Sequence, residues 1–369
     1  MRVAAIAILA ASAACAVAAP LIGLAIAGLP LEPYLDFPPR TQWAPAAPFA
    51  WDAFALLSVP VVGAIALFGC AIALARPAPA SIPRRPFPAW GWIGIGIGVA
   101  GWILAWSDDV VPREWRRHTF LALWLGYILV MNGLAIRRAG RSPLTHRTGW
   151  FLALFPASAL LWWLFEFLNQ FVRNWHYSGI EALDDWDYFV QATLPFASVL
   201  PAVASTWAWL RSSPRLDAMR LPPLRGHPAL GWIALVAGVL GLGGIGVRPD
   251  VFYAMLWLAP LLVLCGSQQL VLGESYFAPV ARGDWRPLLQ PALAALVCGF
   301  FWEMWNYGSL AKWHYSIPYA QRFHVFEMPL LGYAGYLPFG VECALIMDLV
   351  ARIVERRPLW PLDPEQSGA

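Results

Sequence analysis

Apolar segments of 18 to 27 residues recur along the chain at 3–29, 52–75, 89–106, 119–136, 149–171, 188–210, 228–247, 251–272, 288–308 and 326–351. Each is long enough to cross ~30 Å of hydrocarbon, which takes ~20 helical residues. Lipid offers no partners to backbone N–H and C=O groups, so segments of this kind must satisfy them internally as helices. The expected fold class is therefore all-α: a polytopic membrane protein of about ten transmembrane helices. Composition excludes the soluble alternative, with 59% hydrophobic residues and 13% charged, against roughly 25% charged in a soluble domain. The net charge of +3 is carried by arginines dispersed between apolar runs. That pattern marks topology rather than a nucleic-acid surface, and the partner it implies is the lipid bilayer.

Cys15, Cys70, Cys265, Cys298 and Cys343 all fall in apolar stretches without CxxC spacing, so neither a disulfide framework nor a thiolate metal site is expected. Arg2 followed by an apolar run resembles a signal peptide, but the run continues to Leu29 and is read as an uncleaved first helix. Leu31 to Trp51 is too rich in proline for a helix and reads as an interfacial loop. Most of the 25 Lys and Arg residues fall on the side of Arg2. Both termini are thus expected in the cytoplasm, at a bacterial-type inner (plasma) membrane. Arg113, Arg116 and Arg117 lie on the opposite side and run against that count.

Pro88-Ala89-Trp90-Gly91-Trp92-Ile93 recurs as Pro228-Ala229-Leu230-Gly231-Trp232-Ile233, and the register holds onward from there. Trp150 and Pro156 answer to Trp285 and Pro291, and Leu200-Pro201 to Leu337-Pro338. An even number of crossings per copy predicts two parallel four-helix repeats about an axis along the membrane normal. The expected organisation is residues 1–87 as two peripheral helices with the interfacial loop, 88–227 and 228–352 as the repeats, and 353–369 as a cytoplasmic tail. Gly91, Gly94, Gly98 and Gly101 in one copy, and Gly231, Gly238, Gly241 and Gly244 in the other, read as helix-packing faces.

Each copy also carries a polar cluster inside its apolar run. Glu166 and Asn169 precede Trp175-His176-Tyr177-Ser178; Glu303 and Asn306 precede Trp313-His314-Tyr315-Ser316. A carboxylate and a carboxamide three residues apart share one helix face, and carboxylates in a membrane are costly enough to be functional candidates. The two clusters are expected to face one pocket opening towards the outer leaflet. Glu303 and Glu166 are the candidate acids, together with Glu342, which follows Pro338 where the first copy has Ser205. Asn306, Asn169, His314, His176, Trp302, Trp305, Trp313 and Tyr315 are the candidate substrate contacts. Pro329, Gly332, Gly335 and Pro338 are expected to kink the last helix. Asp348 and Glu327 read as interfacial, and Asn132 and Gln268-Gln269 as interhelical hydrogen bonds.

Several functions fit this pattern: acid chemistry or binding of an isoprenoid or lipid chain, a proton or cation pathway, or a scaffold in which Glu-Asn pairs are structural. A metal held by the Glu and His residues lacks a ligand signature, and the absence of HExxH and of a phosphate loop leaves no cofactor indicated. Trp302-Glu303, Gly308, Trp313, Tyr315, Pro338 and Glu342 resemble the pattern of the small membrane-embedded lycopene cyclases and related carotenoid-modifying enzymes, over about 40 residues of the second copy. The resemblance implies a helical repeat protein that protonates a polyene, with an acid role for Glu303 or Glu342.

Overall fold

The computed structural model describes residues 1–77, 84–107 and 110–359. In chain order the elements are α1 (Arg2–Ile26), α2 (Trp51–Leu74), α3 (Ala89–Ala105), the single turn α4 (Arg113–Arg116), α5 (Thr119–Ala139), α6 (Pro143–His146), α7 (Thr148–Val172) and β1 (Trp175–Ser178). They continue as α8 (Asp185–Phe196), α9 (Val199–Arg211), α10 (Pro214–Asp217), α11 (Leu230–Val247), α12 (Pro249–Phe252), α13 (Met255–Leu272) and α14 (Arg286–Tyr307). Last come β2 (Lys312–Tyr315), β3 (His324–Val325), β4 (Met328–Pro329) and α15 (Tyr336–Val354). Among the described residues 8 helices are long and apolar enough to cross a membrane: α1, α2, Arg113–Ala139, α7, Asp185–Arg211, α11, α13 and α14. The architecture is that of a helical membrane protein.

The remaining two expected spans differ in kind. Helix α3 is apolar but only 17 residues long. Helix α15 carries Glu342, Asp348 and Arg352 and is the most enclosed of all, with those three side chains 4% exposed or less. It also starts ten residues later than the hydropathy of 326–351 suggests. Pro329 closes the short β3–β4 pair, and Leu330–Gly335 forms a 3₁₀ segment before the α-helix begins. The prolines and glycines there delay the helix rather than kink it.

The span expected at 188–210 is two helices. Asp184 starts α8 by accepting a hydrogen bond from the Asp187 N–H at 2.8 Å, a side-chain N-cap. At the break before α9, Ser158 of α7 donates to Phe196 O at 2.5 Å and accepts from Leu200 N at 3.0 Å. That one hydroxyl satisfies a carbonyl and an N–H that a continuous helix would have paired.

Helices α3 and α5 pack closely, as do α11 and α13. A Cβ at Gly126 would sit 2.7 Å from Gly94 O, and one at Gly266 would sit 2.6 Å from Gly231 O, so both approaches require glycine. Helix α2 is peripheral, with 6% of its apolar window buried. Helix α1 is not, contrary to expectation: it lies against α11, with Pro20 and Leu24 meeting Gly246, and also touches α7, α13 and α15. Small residues on both faces let the first helix pack closely against the bundle, with 33% of its apolar window buried.

Polar side chains join the central helices. Asn132 of α5 donates to Ser205 Oγ of α9 at 2.7 Å, and Gln268 of α13 donates to Asp348 of α15 at 3.1 Å, as interhelical bonds should. Asp348 itself is buried rather than interfacial, held also by Arg352 Nε at 2.7 Å and Leu359 N at 2.6 Å. The tail expected at 353–369 is helical to Val354 and described to Leu359; residues 360–369 lie outside the described residues.

Candidate functional site

The strands β1 and β2 pair antiparallel, each emerging just after a long helix, with Trp175 opposite Tyr315, His176 opposite His314, and Tyr177 opposite Trp313. The centre of the register is therefore the histidine pair, whose rings stack at 5.4 Å. Each strand is fixed by the asparagine of its own helix. Asn169 donates to Trp175 O at 2.7 Å and accepts from Trp175 N at 3.3 Å; Asn306 does the same to Trp313, at 2.8 Å and 2.9 Å. Both carboxamides are fully buried. They are engaged by strand backbone rather than turned to a pocket.

The carboxylates pair with aromatic donors, not with the asparagines. Glu166 Oε1 accepts from Trp162 Nε1 and Trp175 Nε1, both at 3.1 Å, and from Tyr177 OH at 2.7 Å. Glu303 Oε1 accepts from Tyr315 OH at 2.8 Å and Tyr336 OH at 2.7 Å, and Trp313 Nε1 donates to Tyr315 OH at 2.8 Å. The second oxygen of each is buried without a hydrogen-bond partner. These donors, and not the carboxylates, reach a partly open cavity of ≈ 130 Å³. A single water needs ~10–15 Å³ on that scale, and an engineered apolar void of comparable size holds a benzene ring. Trp162, Trp175 and Tyr177 line it from the first half, and Trp302, Tyr315 and Tyr336 from the second. The two clusters thus meet at one cavity, with Glu166 and Glu303 one layer behind its wall.

Comparison with known protein families, with curated proteins and with solved structures returns no match for this chain. What the site can do must come from its geometry.

Trp302, Trp313 and Tyr315 lie on the cavity wall as candidate contacts. Trp305 packs instead among Trp102, Trp124 and Phe301. Glu342 is buried on α15 with Oε2 unpartnered, and it does not line the cavity. His176 and His314 border a separate polar pocket on the strands, with Ser178, Gln321, His324 and Glu327. Among the described residues no group of three or more His, Cys, Asp or Glu is placed to hold a metal ion. Sequence reasoning passed over Trp162, one turn before Glu166, and Tyr336, which lies just ahead of Leu337-Pro338. The i−4 spacing of Trp162 was the available signal; Tyr336 offered none.

Around the histidine pair, Ser178 Oγ lies 3.0 Å from His314 Nε2, and His314 Nδ1 lies 3.4 Å from Glu327, which also binds Lys312 at 2.7 Å. Desolvation, and then the neighbouring His314 ring, hold His176 below the usual histidine value. A histidine depressed in the folded state binds its proton better unfolded, so it costs nothing above the unfolded value of ~6.5. Stability falls as pH drops from there through the lowered folded value. Unfolding midpoints measured from about pH 7.5 to about 5 should therefore decline more steeply in the natural protein than in His176→Asn. Equal slopes would show that His176 does not set this dependence.

Proposed function

We propose that this chain holds an apolar isoprenoid or lipid chain within the membrane, in the aromatic cavity between its two halves. The observation that carries the reading is a cavity walled by Trp and Tyr from both clusters, in which the polar atoms of Trp162, Tyr177 and Tyr336 are turned onto buried carboxylates. Tying those atoms back leaves π-faces for a chain or polyene to pack against. Tyr315 and Tyr336 bridge Glu303 to the wall, and Tyr177 bridges Glu166. A carboxyl proton relayed through such a hydroxyl would reach a group in the cavity, which is how the site would modify its ligand as well as bind it. That chemistry agrees with the resemblance to the small lycopene cyclases, with the tyrosines rather than the carboxylates as the contacting groups.

In the same reading the two halves are parallel repeats about an axis through the His176–His314 pair. The symmetric strand register, the matching Asn169 and Asn306 clamps and the paired glycine approaches support it. The arginine distribution supports ten crossings of a bacterial-type plasma membrane with both termini cytoplasmic, and the cavity on the outer side. A scaffold without a ligand is the second reading, favoured by the completeness of the Asn clamps.

Ala192 lines the cavity, so Ala192→Trp should fill it. Mass spectrometry of purified protein is expected to detect a bound apolar molecule in the natural chain and to lose it in Ala192→Trp. The same lipid content in both proteins would overturn the reading in favour of the scaffold.

A further inference from the structure

The cavity is not walled by aromatics alone. Arg117 lines it, half-buried, and forms no ion pair or side-chain hydrogen bond among the described residues. Arg116 beside it is 6% exposed and donates to Ala105 O at 3.2 Å, which fixes the turn that presents Arg117. The Tyr188 side chain also lines the cavity; it is 2% exposed, and its hydroxyl is buried without a partner. A buried hydroxyl left unpaired is destabilising, so a ligand oxygen there would recover a loss. The carboxylate within electrostatic reach of the Tyr188 hydroxyl is Glu166, which lies behind the wall. Four more stand in the neighbouring loop, and none of these lines the cavity. Glu181 accepts from Gly179 N, Asp184 from Asp187 N, and Asp185 pairs with Arg40; Asp187 is exposed.

Resting on the binding reading above, we propose that the ligand is an amphiphile with an anionic, phosphate-type headgroup. The headgroup sits at Arg117 and Tyr188, and the first carbons of the chain enter among Trp162, Trp257 and Trp302, the rest of it lying outside the ≈ 130 Å³ cavity. A guanidinium at the mouth of an apolar cavity is suited to a phosphate, whose oxygens accept several N–H bonds at once. A neutral hydrocarbon would leave both Arg117 and the Tyr188 hydroxyl unanswered. The assignment also gives a use to one arginine, Arg117, on the side of the membrane where the topology count does not want it.

The test compares farnesyl phosphate, farnesol, hexadecyl phosphate, hexadecanol and inorganic phosphate as ligands of the full chain in neutral detergent, by native mass spectrometry and thermal shift. Each phosphate amphiphile is expected to bind about tenfold or more tightly than its alcohol. That advantage should shrink to within about threefold in Arg117→Gln, with alcohol binding unchanged. Tyr188→Phe, which keeps the ring, should lose part of the same advantage. Which of the two chains binds better distinguishes an isoprenoid from an acyl source. Alcohols that bind as tightly as phosphates, or an advantage that survives Arg117→Gln, would overturn the headgroup while leaving the cavity reading intact. Inorganic phosphate binding as tightly as the amphiphiles would replace the amphiphile by a free anion. No binding by any chain would remove the cavity reading as well.

Discussion

Replacing Glu166 by alanine is expected to destabilise the protein by about 3–5 kcal/mol, the largest loss from any single side chain at the site. Three donors converge on one of its oxygens, from Trp162, Trp175 and Tyr177. Trp175 is 3% exposed and Glu166 itself 1%, so the site of the lost acceptor is shielded from bulk water. Glu166→Gln supplies the control. Its amide oxygen can take the same three bonds, and its NH₂ falls where the carboxylate oxygen has no partner, so the loss should stay near about 1 kcal/mol. Unfolding midpoints of the two variants in neutral detergent decide the matter: equal and small losses would mean that the carboxylate does not hold the aromatic wall.

The second large effect is expected at Asn306. Alanine there removes the donor to Trp313 O and the acceptor for Trp313 N together, leaving two backbone groups of β2 unpaired at about 1–2 kcal/mol each. A loss of about 2–4 kcal/mol follows, and with it the docking of β2 on β1. Backbone amide exchange should rise at Trp313, which loses its acceptor, and at His176, whose strand partner His314 undocks, while Trp175 N–H stays held by Asn169. Faster exchange confined to Trp313, with unchanged stability, would show the clamp to be dispensable.

Most of the helical content was legible in the sequence, because about 20 consecutive apolar residues leave a chain few other options in a bilayer. What hydropathy averaging blurred was the ends. The window 326–351 ran α15 together with a stretch where Pro329, Gly332 and Gly335 disfavour an α-helix, and 188–210 hid the break that Ser158 seals. The close packing of α1 went unread because it depends on Gly246, more than two hundred positions away, meeting Pro20 and Leu24. At the site, the duplicated Glu-x-x-Asn and Trp-His-Tyr were plain, but their partners were not. A four-residue strand has too little period to announce itself, so the pairing of β1 with β2 could not be foreseen. Once those strands pair, the asparagines face backbone and the glutamates face indole and phenol, which reverses the Glu-Asn pairing that helix spacing suggests.

The burial of α1 against α11 also bears on how the molecule is made. Roughly 200 residues separate Ile26 from Leu230, and synthesis at ~5–20 residues per second spaces the two helices by about 10–40 s. For that interval the small-residue stripe around Pro20 and Gly23 has only lipid or the translocation machinery beside it. Helix α1 thus leaves the ribosome well before α11, and the nascent chain depends on whatever shelters that stripe until the second half arrives.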